Sequence, residues 1–244
     1  MAGNWKMFKT PPETVQFFEK FRPLVERSSH CEIVICPPFT NLAAAAGAVN
    51  GSSIRIGAQN IAWAREGAFT GEVSGPMIAA TGATHAIVGH SERRQYFGET
   101  DETVLKRTQA ALEFGLTPIV CVGELLAERE AGKTADVLKA QFANGIAGLS
   151  EQQFAKIVIA YEPVWAIGTG KTATPEIAAD AHRAIRGEVR AKFGKDAADA
   201  VRILYGGSVK PDNVKALMAQ PEIDGSLVGG ASLKPEDFAS IVNF

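Results

Sequence analysis

Eight short, nearly continuous apolar runs recur along the chain and alternate with amphipathic segments. The runs cover residues 1–6, 32–36, 54–58, 84–89, 117–123, 156–161, 201–205 and 225–229. Continuous hydrophobicity of this kind is typical of parallel strands that are buried on both faces. The pattern therefore predicts eight β-strands, of which the first is short.

Helix-start signals lie between these runs. The first predicted helix begins with a capping box at residues 10–13 that places proline at the first helical position. Its side chains at helical spacing, which we expect to face the core, are Val15, Phe18, Phe21 and Val25. Later helices are predicted to begin at Thr100 or Asp101 and stop at Gly115, to begin at Thr174 and Pro175, and to carry Pro211 and Pro235 in their first turns.

The alternation of strands and helices predicts an α/β fold, a (β/α)8 barrel that occupies residues 1–244 as one domain. A doubly wound open sheet is the competing architecture, but it would usually carry its glycine-rich fingerprint after the first strand. Here the glycine clusters come after the sixth, seventh and eighth strands. Those are the positions at which a barrel holds a phosphate group, so the barrel is favoured.

Composition narrows the class of ligand. The chain is 46% hydrophobic and 21% charged, with a formal net charge of -2 and no block rich in Lys or Arg. It therefore offers no electrostatic footprint for nucleic acid or for an anionic membrane, and small molecules are the expected partners. No signal peptide, transmembrane run or C-x-x-C spacing appears, which favours a reducing cytoplasm. We expect Cys31, Cys36 and Cys121 to be small buried hydrophobic residues on strands.

Chemistry-bearing residues follow the predicted strands, whose carboxyl ends would meet at one mouth of the barrel. They are Asn4, Lys6, His90, Ser91, Glu92, Glu162, Gly206, Gly207, Ser208, Gly229 and Gly230. The set combines a cation, an imidazole, a carboxylate and exposed backbone N–H groups, but no cluster of metal ligands. It predicts acid–base chemistry on a phosphorylated anion, without a metal or a cofactor.

One segment also resembles a nucleotide-binding loop. Gly170, Lys171 and Thr172 match the end of a Walker A motif, but Trp165 stands where its first glycine is required. Gly168, Gly170 and Ala173 match the loose spacing of a dinucleotide fingerprint, which is a weak signal when it stands alone. A nucleotide site is therefore an alternative, which the neighbouring motifs must support or exclude.

Seven segments together resemble the signature sequences of the triosephosphate isomerase family. They are AGNWKM (2–7), GAFTGE (67–72), VGHSERR (88–94), CVGE (121–124), YEPVWAIGTGKTA (161–173), YGGSV (205–209) and LVGGASL (227–233). They occur over the whole chain, in the family's order and at its spacing. The resemblance implies a cytoplasmic isomerase of glycolysis and gluconeogenesis that interconverts dihydroxyacetone phosphate and glyceraldehyde 3-phosphate.

The resemblance also implies roles for particular residues. Glu162 matches the base that moves the proton between adjacent carbons, with Ile167 and Leu227 as an apolar clamp that disfavours its charged form. His90 matches an electrophile that acts as a neutral imidazole because a helix N-terminus follows it, and this pairing of base and neutral imidazole is already established for the family. His85 and His182 are expected to be packed residues instead.

The remaining implied roles concern charge, phosphate and the lid. Lys6 would stabilise the developing enediolate beside the donor Asn4, and Glu92 would support the site through an internal ion pair. The resemblance makes residues 163–173 a hinged lid, which Tyr205 and Ser208 would latch through residues 170–173. The phosphate would meet N–H groups of Gly168, Ser208, Gly229 and Gly230. The glycines would thus serve the phosphate of a sugar instead of that of ATP, with water excluded on closure.

The resemblance implies a homodimer formed through the loop from Gln59 to Glu72, in which Thr70 and Glu72 would reach the partner near its Arg93 or Lys6. Phe8 departs from the family, which commonly has asparagine there, so the packing of this turn is open. The family also has several residues before AGNWKM. We expect either a late start of the chain or a stunted first strand that lacks some barrel-closing hydrogen bonds.

Three other functions stay open on the sequence alone. Another phosphosugar isomerase or aldolase barrel would keep the late glycine loops without needing His90, Glu162 and the lid together. A non-catalytic binding protein on an inherited barrel gives no reason for a complete proton-transfer set. A P-loop nucleotide binder would favour ATP over phosphoglycolate.

Overall fold

The strands of the chain close into a parallel barrel in sequence order. The computed structural model describes residues 1–167 and 172–244. Its strands are β1 Ala2–Asn4, β2 Val34–Cys36, β3 Arg55–Ala58, β4 His85–Val88, β5 Thr117–Val122, β6 Val158–Tyr161, β7 Ile203–Tyr205 and β8 Gly225–Val228. Helical segments separate consecutive strands, so the predicted (β/α)8 barrel is confirmed.

The paired strands are shorter than the apolar runs that predicted them. Ile33 and Ile157 are buried but precede the paired residues of β2 and β6. An apolar run indicates which residues are buried, whereas a strand also requires backbone pairing with a neighbouring strand. The buried run and the paired strand therefore end at different residues. The short β1 nevertheless pairs with β2 over three positions and with β8 through Ala2 and Gly3. Its length therefore does not interrupt the closed barrel.

The helices form the outer layer. They are α1 Pro11–Val25, α2 Leu42–Ala48, α3 Gly75–Ala80, α4 Ser91–Tyr96, α5 Asp101–Glu113, α6 Leu126–Glu130, α7 Thr134–Gly145, α8 Glu151–Phe154, α9 Pro175–Phe193, α10 Lys195–Ala200, α11 Val214–Met218 and α12 Pro235–Val242. Short 3-10 turns cover Phe39–Asn41, Val164–Ala166 and Gly230–Leu233. No helix in the described ranges combines the length and the apolar character that crossing a bilayer demands.

The buried face of α1 corrects one prediction. The helix begins after Thr10, as its capping box indicates, but Val15 is 38% exposed and Phe17 is 3% exposed. The buried positions, Thr14, Phe17, Phe18, Phe21 and Val25, follow the 3.6-residue period from a face that starts at Thr14. Val15 lies about 100° from that starting position and therefore points away from the barrel.

The other helix-start predictions are mostly correct. Thr100 caps α5, Pro175 and Pro235 begin α9 and α12, and Gly115 follows the end of α5 with a φ of 73°. Pro211 is the exception, because α11 begins at Val214 and Pro211 lies in the preceding turn. A first-turn proline and a turn proline have the same fixed φ, so the residue alone does not distinguish them.

Two apolar layers make up the core. The barrel interior contains Ala2, Val34, Cys36, Ile87, Ile119, Cys121, Val158, Ala160, Leu204 and Leu227. A larger layer, which includes Trp5 and the phenylalanines of α1, packs between the strands and the helices. Cys36 and Cys121 are thus buried on strands as predicted, and burial raises the pKa of the Cys36 thiol to about 12. Cys31 instead lies partly exposed before β2.

Candidate active site

The carboxyl ends of the strands surround a cleft of about 700 Å³. Residues predicted from the sequence that line it are Asn4, Lys6, His90, Glu162, Ile167, Gly206, Gly207, Ser208, Leu227, Gly229 and Gly230. This volume lies within the range usual for small-molecule sites. Phe8, Lys210 and Lys234 also line the cleft, and no sequence signal had placed the two lysines there. Gly168 lies outside the described residues.

Glu162 and His90 are in direct contact at the centre of this cleft. His90 Nε2 lies 2.8 Å from Glu162 Oε1, and the Ser91 N–H donates to Glu162 Oε2 at 2.8 Å. The two side chains are 7% and 2% exposed. Both carboxylate oxygens therefore already have a partner in this arrangement.

This contact determines the direction of both pKa shifts. Burial acts to lower the pKa of His90, but the carboxylate of Glu162, followed by that of Glu92, outweighs it, so the pKa is raised. Burial acts to raise the pKa of Glu162, but His90 and the Ser91 amide outweigh it, so the pKa is lowered. The family resemblance implies a neutral imidazole beside a more basic carboxylate. The shifts run the other way here because the two groups face each other.

His90 also occupies the N-cap of α4. Its Nδ1 accepts a hydrogen bond from the Glu92 backbone N–H at 3.2 Å. An imidazole nitrogen that accepts a hydrogen bond carries no proton, so the proton of the neutral ring is on Nε2. The helix start predicted at Ser91 thus fixes the tautomer that donates into the cleft.

Lys6 and Asn4 approach the cleft from the end of β1. The Lys6 ammonium pairs with Glu92 Oε1 at 2.6 Å, so Glu92 makes the predicted internal ion pair. Asn4 Oδ1 accepts from the Lys6 backbone N–H at 3.0 Å. The amide nitrogen of Asn4 is therefore the atom that could donate to a ligand.

The backbone around Glu162 packs against two glycines. A Cβ on Gly123 would lie 1.7 Å from the Glu162 carbonyl oxygen, and one on Gly206 would lie 2.9 Å from Glu162 Cγ. The Gln141 carboxamide bonds both the N–H and the C=O of Gly123, at 2.7 and 3.0 Å. No sequence motif indicates Gln141, since a helical glutamine carries no motif of its own.

The wall of the cleft at the ends of β7 and β8 offers backbone groups. Gly229 precedes the 3-10 turn Gly230–Leu233, and a Cβ at Gly229 would lie 3.6 Å from Lys6 Cε, so the lysine stem passes close to this wall. Tyr205, predicted as a latch, is buried beneath Gly207. Burial raises the pKa of Tyr205 to about 12, with the nearby Ala173 backbone acting in the opposite direction.

The segment after Glu162 is anchored by a buried acid that sequence reasoning missed. Glu124 Oε1 accepts from Trp165 Nε1 at 2.9 Å and from the Tyr161 hydroxyl at 3.1 Å. Arg129 lies 3.3 Å from the same oxygen and stacks 4.8 Å from the Trp165 ring centre. Glu124 ends the CVGE segment, so the motif was visible but the role of its acid was not.

His85 and His182, the two histidines predicted to be packed, do not line the cleft. His85 and His182 are both buried, and burial is the largest influence in lowering the pKa of each to about 4. Across the described part of the chain, no group of three or more His, Cys, Asp or Glu side chains is arranged to hold a metal ion.

Comparison with known proteins gives one family. The family profile described as triosephosphate isomerase matches residues 1–244. Triosephosphate isomerase of Solibacter usitatus (strain Ellin6076) is 82% identical over 244 residues, which are 100% of this chain and 98% of the relative. The protein of that name from Citrifermentans bemidjiense is 57% identical, covering 100% and 97%.

A solved structure agrees with these matches. The crystal structure of triosephosphate isomerase from Bartonella henselae superposes with a TM-score of 0.90 at 38% identity, covering 100% of this chain and 97% of that one. Fold, cleft and sequence thus lead to the same conclusion: the chain belongs to the triosephosphate isomerase family.

Proposed function

We propose that this chain interconverts dihydroxyacetone phosphate and D-glyceraldehyde 3-phosphate, with Glu162 as the base and His90 as the neutral electrophile. The observation that carries the proposal is the buried Glu162–His90 pair at 2.8 Å, which faces a cleft that also contains Lys6 and exposed glycine backbone. Proton transfer between adjacent carbons needs one base beside one donor to the carbonyl oxygen, and this pair supplies both.

Substrate must displace a contact before Glu162 can act. The carbonyl oxygen of the substrate takes the hydrogen bond from His90 Nε2 that Glu162 Oε1 holds at 2.8 Å. His90 then loses its strongest upward influence on pKa, and burial favours the neutral ring. Glu162 loses its largest stabilising partner at the same time, so its basicity rises as it turns towards the substrate.

Apolar side chains complete the environment of the base. Ile167 and Leu227 line the same cleft, and Leu227 is 3% exposed. Closing them around the carboxylate removes water from its charged form, which raises its pKa further. A lid formed by residues 163–173 would exclude water, which would also protect the enediol phosphate from elimination.

Residues at the ends of β1, β7 and β8 bind the charge and the phosphate of the substrate. Lys6, already partnered by Glu92 at 2.6 Å, provides a fixed positive charge for the enediolate, and Asn4 donates beside it. The backbone N–H groups of Ser208, Gly229 and Gly230, joined by that of Gly168, bind the phosphate. The close approach of a phosphate to bare backbone explains why glycines recur here.

We also propose that the chain forms a homodimer through the loop at residues 59–72. Its Trp63 and Phe69 are 44% and 43% exposed, and Phe97 and Tyr96 of the neighbouring α4 region are 67% and 68% exposed. Large aromatic side chains exposed in a group are typical of association surfaces.

Buried charges support this surface from within. Arg107 contacts Glu72 at 3.3 Å and Glu99 at 3.4 Å, and it lies 4.9 Å from the Trp63 ring centre. Arg93 pairs with the same Glu99 and stacks on Phe97. The Glu72 contact therefore lies within one chain, and a contact of Glu72 with a partner remains part of the proposal. Light scattering should give twice the mass of one chain, and substituting Phe97→Lys should halve it.

The activity is tested by coupling glyceraldehyde 3-phosphate formation to a dehydrogenase. The wild-type chain should turn over, and Glu162→Gln should lose activity by about 10³-fold or more while keeping its fold, because the amide cannot accept the proton. A thermal-shift comparison distinguishes the alternative: phosphoglycolate should stabilise the protein and ATP should not. Stabilisation by ATP alone, without isomerase activity, would overturn the proposal in favour of a nucleotide site.

A further inference from the structure

The segment that carries Lys6 contains two strained backbone positions. Within the described ranges, Lys6 and Lys9 are the non-glycine residues with positive φ, at 52° and 70°. Left-handed backbone is disfavoured for residues with a Cβ, so some other contact must hold it. Met7 and Phe8 between them are 92% and 56% exposed in the single chain, so their own packing within it contributes little.

Each strained residue has its carbonyl held by a carboxamide from another element. Gln59 Nε2 donates to the Lys6 carbonyl and to the Cys36 carbonyl, both at 2.8 Å. Asn41 Nδ2 donates to the Lys9 carbonyl at 2.8 Å and to Thr14 Oγ1 at 3.0 Å. The segment is thus held at both ends, at Lys6 by the residue that follows β3 and at Lys9 by the N-cap of α2.

The geometry of Asn41 is specific for this contact. The residue is fully buried and occupies the N-cap position of α2, yet its side chain makes no capping hydrogen bond. Thr40 Oγ1 donates to Asn41 Oδ1 at 2.9 Å, which leaves both Nδ2 hydrogens for Lys9 and Thr14. Reversing the amide would place two acceptor oxygens against each other, so the orientation is determined by chemistry.

We propose that Asn41 is a positioning residue, which holds the Lys6–Lys9 segment in its strained conformation and thereby keeps the Lys6 ammonium in the cleft. This inference rests on the proposed function, in which Lys6 binds the substrate. Asn41 itself acts only through the Lys9 carbonyl. Its role is to keep most molecules in the conformation in which the Lys6 ammonium lies in the cleft before substrate binds.

The proposal predicts a particular kinetic signature. If the segment relaxes in most molecules, the apparent affinity falls by the fraction that stays competent, while saturating substrate restores that conformation. Asn41→Ala should therefore raise KM about 10-fold and leave kcat within about 2-fold. The Kd of 2-phosphoglycolate, measured by calorimetry, should rise by the same factor because the inhibitor selects the same molecules.

A matched control separates positioning from general stability. Thr14→Val removes the other acceptor of Asn41 without touching the Lys9 carbonyl, so it should lower Tm but leave KM and the inhibitor Kd unchanged. Thr40→Val keeps Asn41 and frees its orientation, and it should raise KM less than Asn41→Ala. This variant keeps the inference testable if Asn41→Ala fails to fold.

Rescue gives the sharpest test. Glycine adopts positive φ without strain, so in a Lys9→Gly background the Asn41→Ala substitution should change KM by less than about 2-fold. Equal kinetic effects of Thr14→Val and Asn41→Ala, or an effect that persists with Gly at position 9, would overturn the inference. Absence of isomerase activity in the wild type would refute the proposed function instead. The Kd of 2-phosphoglycolate would still show whether Asn41 positions the Lys6–Lys9 segment.

Discussion

Substituting Gly123→Ala tests whether the backbone beneath Glu162 sets the rate. The added Cβ would lie 1.7 Å from the Glu162 carbonyl oxygen, whereas real Cβ contacts are essentially never shorter than 3.0 Å, so the two backbones must separate by at least about 1.3 Å. A misplacement of about 1 Å at a reacting group costs about 10²-fold in rate. We therefore expect kcat to fall about 100-fold, which corresponds to about 3 kcal/mol of barrier.

The measurement is the coupled isomerase assay, accompanied by the inhibition constant for inorganic phosphate and by Tm. Phosphate inhibition should change little, because Gly229 and Gly230 follow β8, which pairs with β1 and β7 and not with β5 or β6. Gly187→Ala is the matched control, since a Cβ there meets nothing within 4 Å. Gly187 lies inside α9, so alanine should leave kcat unchanged and stabilise the fold by about 0.5–1 kcal/mol.

A folded Gly123→Ala variant with kcat near that of the wild type would refute the reasoning, because the base would then tolerate a displaced backbone. If the variant does not fold, Gln141→Ala probes the same peptide without a clash. It removes the two hydrogen bonds to Gly123, at 2.7 and 3.0 Å, and should lower kcat by a smaller factor while leaving phosphate inhibition intact. Equal losses of kcat and phosphate affinity would indicate general damage instead.

Three further results are expected. Glu162→Asp should lower kcat by orders of magnitude with a modest change in KM, and a rise in KM alone would contradict its role as base. Ile167→Ala should lower the pKa of Glu162 in the inhibitor complex, so the pH profile of phosphoglycolate binding should shift; identical profiles would argue against the clamp. The pKa of His182 is about 4 in the fold, against 6.5 as the ordinary value, so stability should fall as pH drops from 6.5 to about 4. That loss is about 3 kcal/mol, and unfolding of a His182→Gln variant should depend less steeply on pH over this range.

The fold was predictable because parallel strands in a barrel are buried on both faces and carry continuous apolar runs. Spacing alone could not fix the face of α1, where Thr14 and Phe17 are buried and the predicted Val15 is exposed. Composition also could not separate a first-turn proline from the turn proline at Pro211. In each case the missing information is which neighbour the residue packs against, and that depends on distant chain.

The site was predictable in part for a related reason. Strand ends of a barrel share one mouth, so Lys6, His90 and Glu162 could be grouped without knowing any distance. The sequence could not show that Glu162 and His90 contact each other at 2.8 Å, nor that this contact reverses the expected pKa directions. Electrostatics depends on separations of a few ångströms, which motif spacing does not contain.

The backbone hydrogen bonds around Glu162 constrain how this residue can move. The Glu162 N–H donates to the Val122 carbonyl at 2.8 Å and the Val164 N–H donates to the Glu124 carbonyl at 3.1 Å, so the pairing of β6 with β5 continues past the end of the strand. Gly123 packs between these two bonds, directly against the Glu162 carbonyl. A shift of the main chain at Glu162 would break this pairing, whereas rotation of its side chain would not. In the proposed mechanism, exchange of Glu162 between His90 and a substrate carbon should therefore occur by side-chain rotation on a fixed backbone, and movement of the proposed lid should begin after Val164.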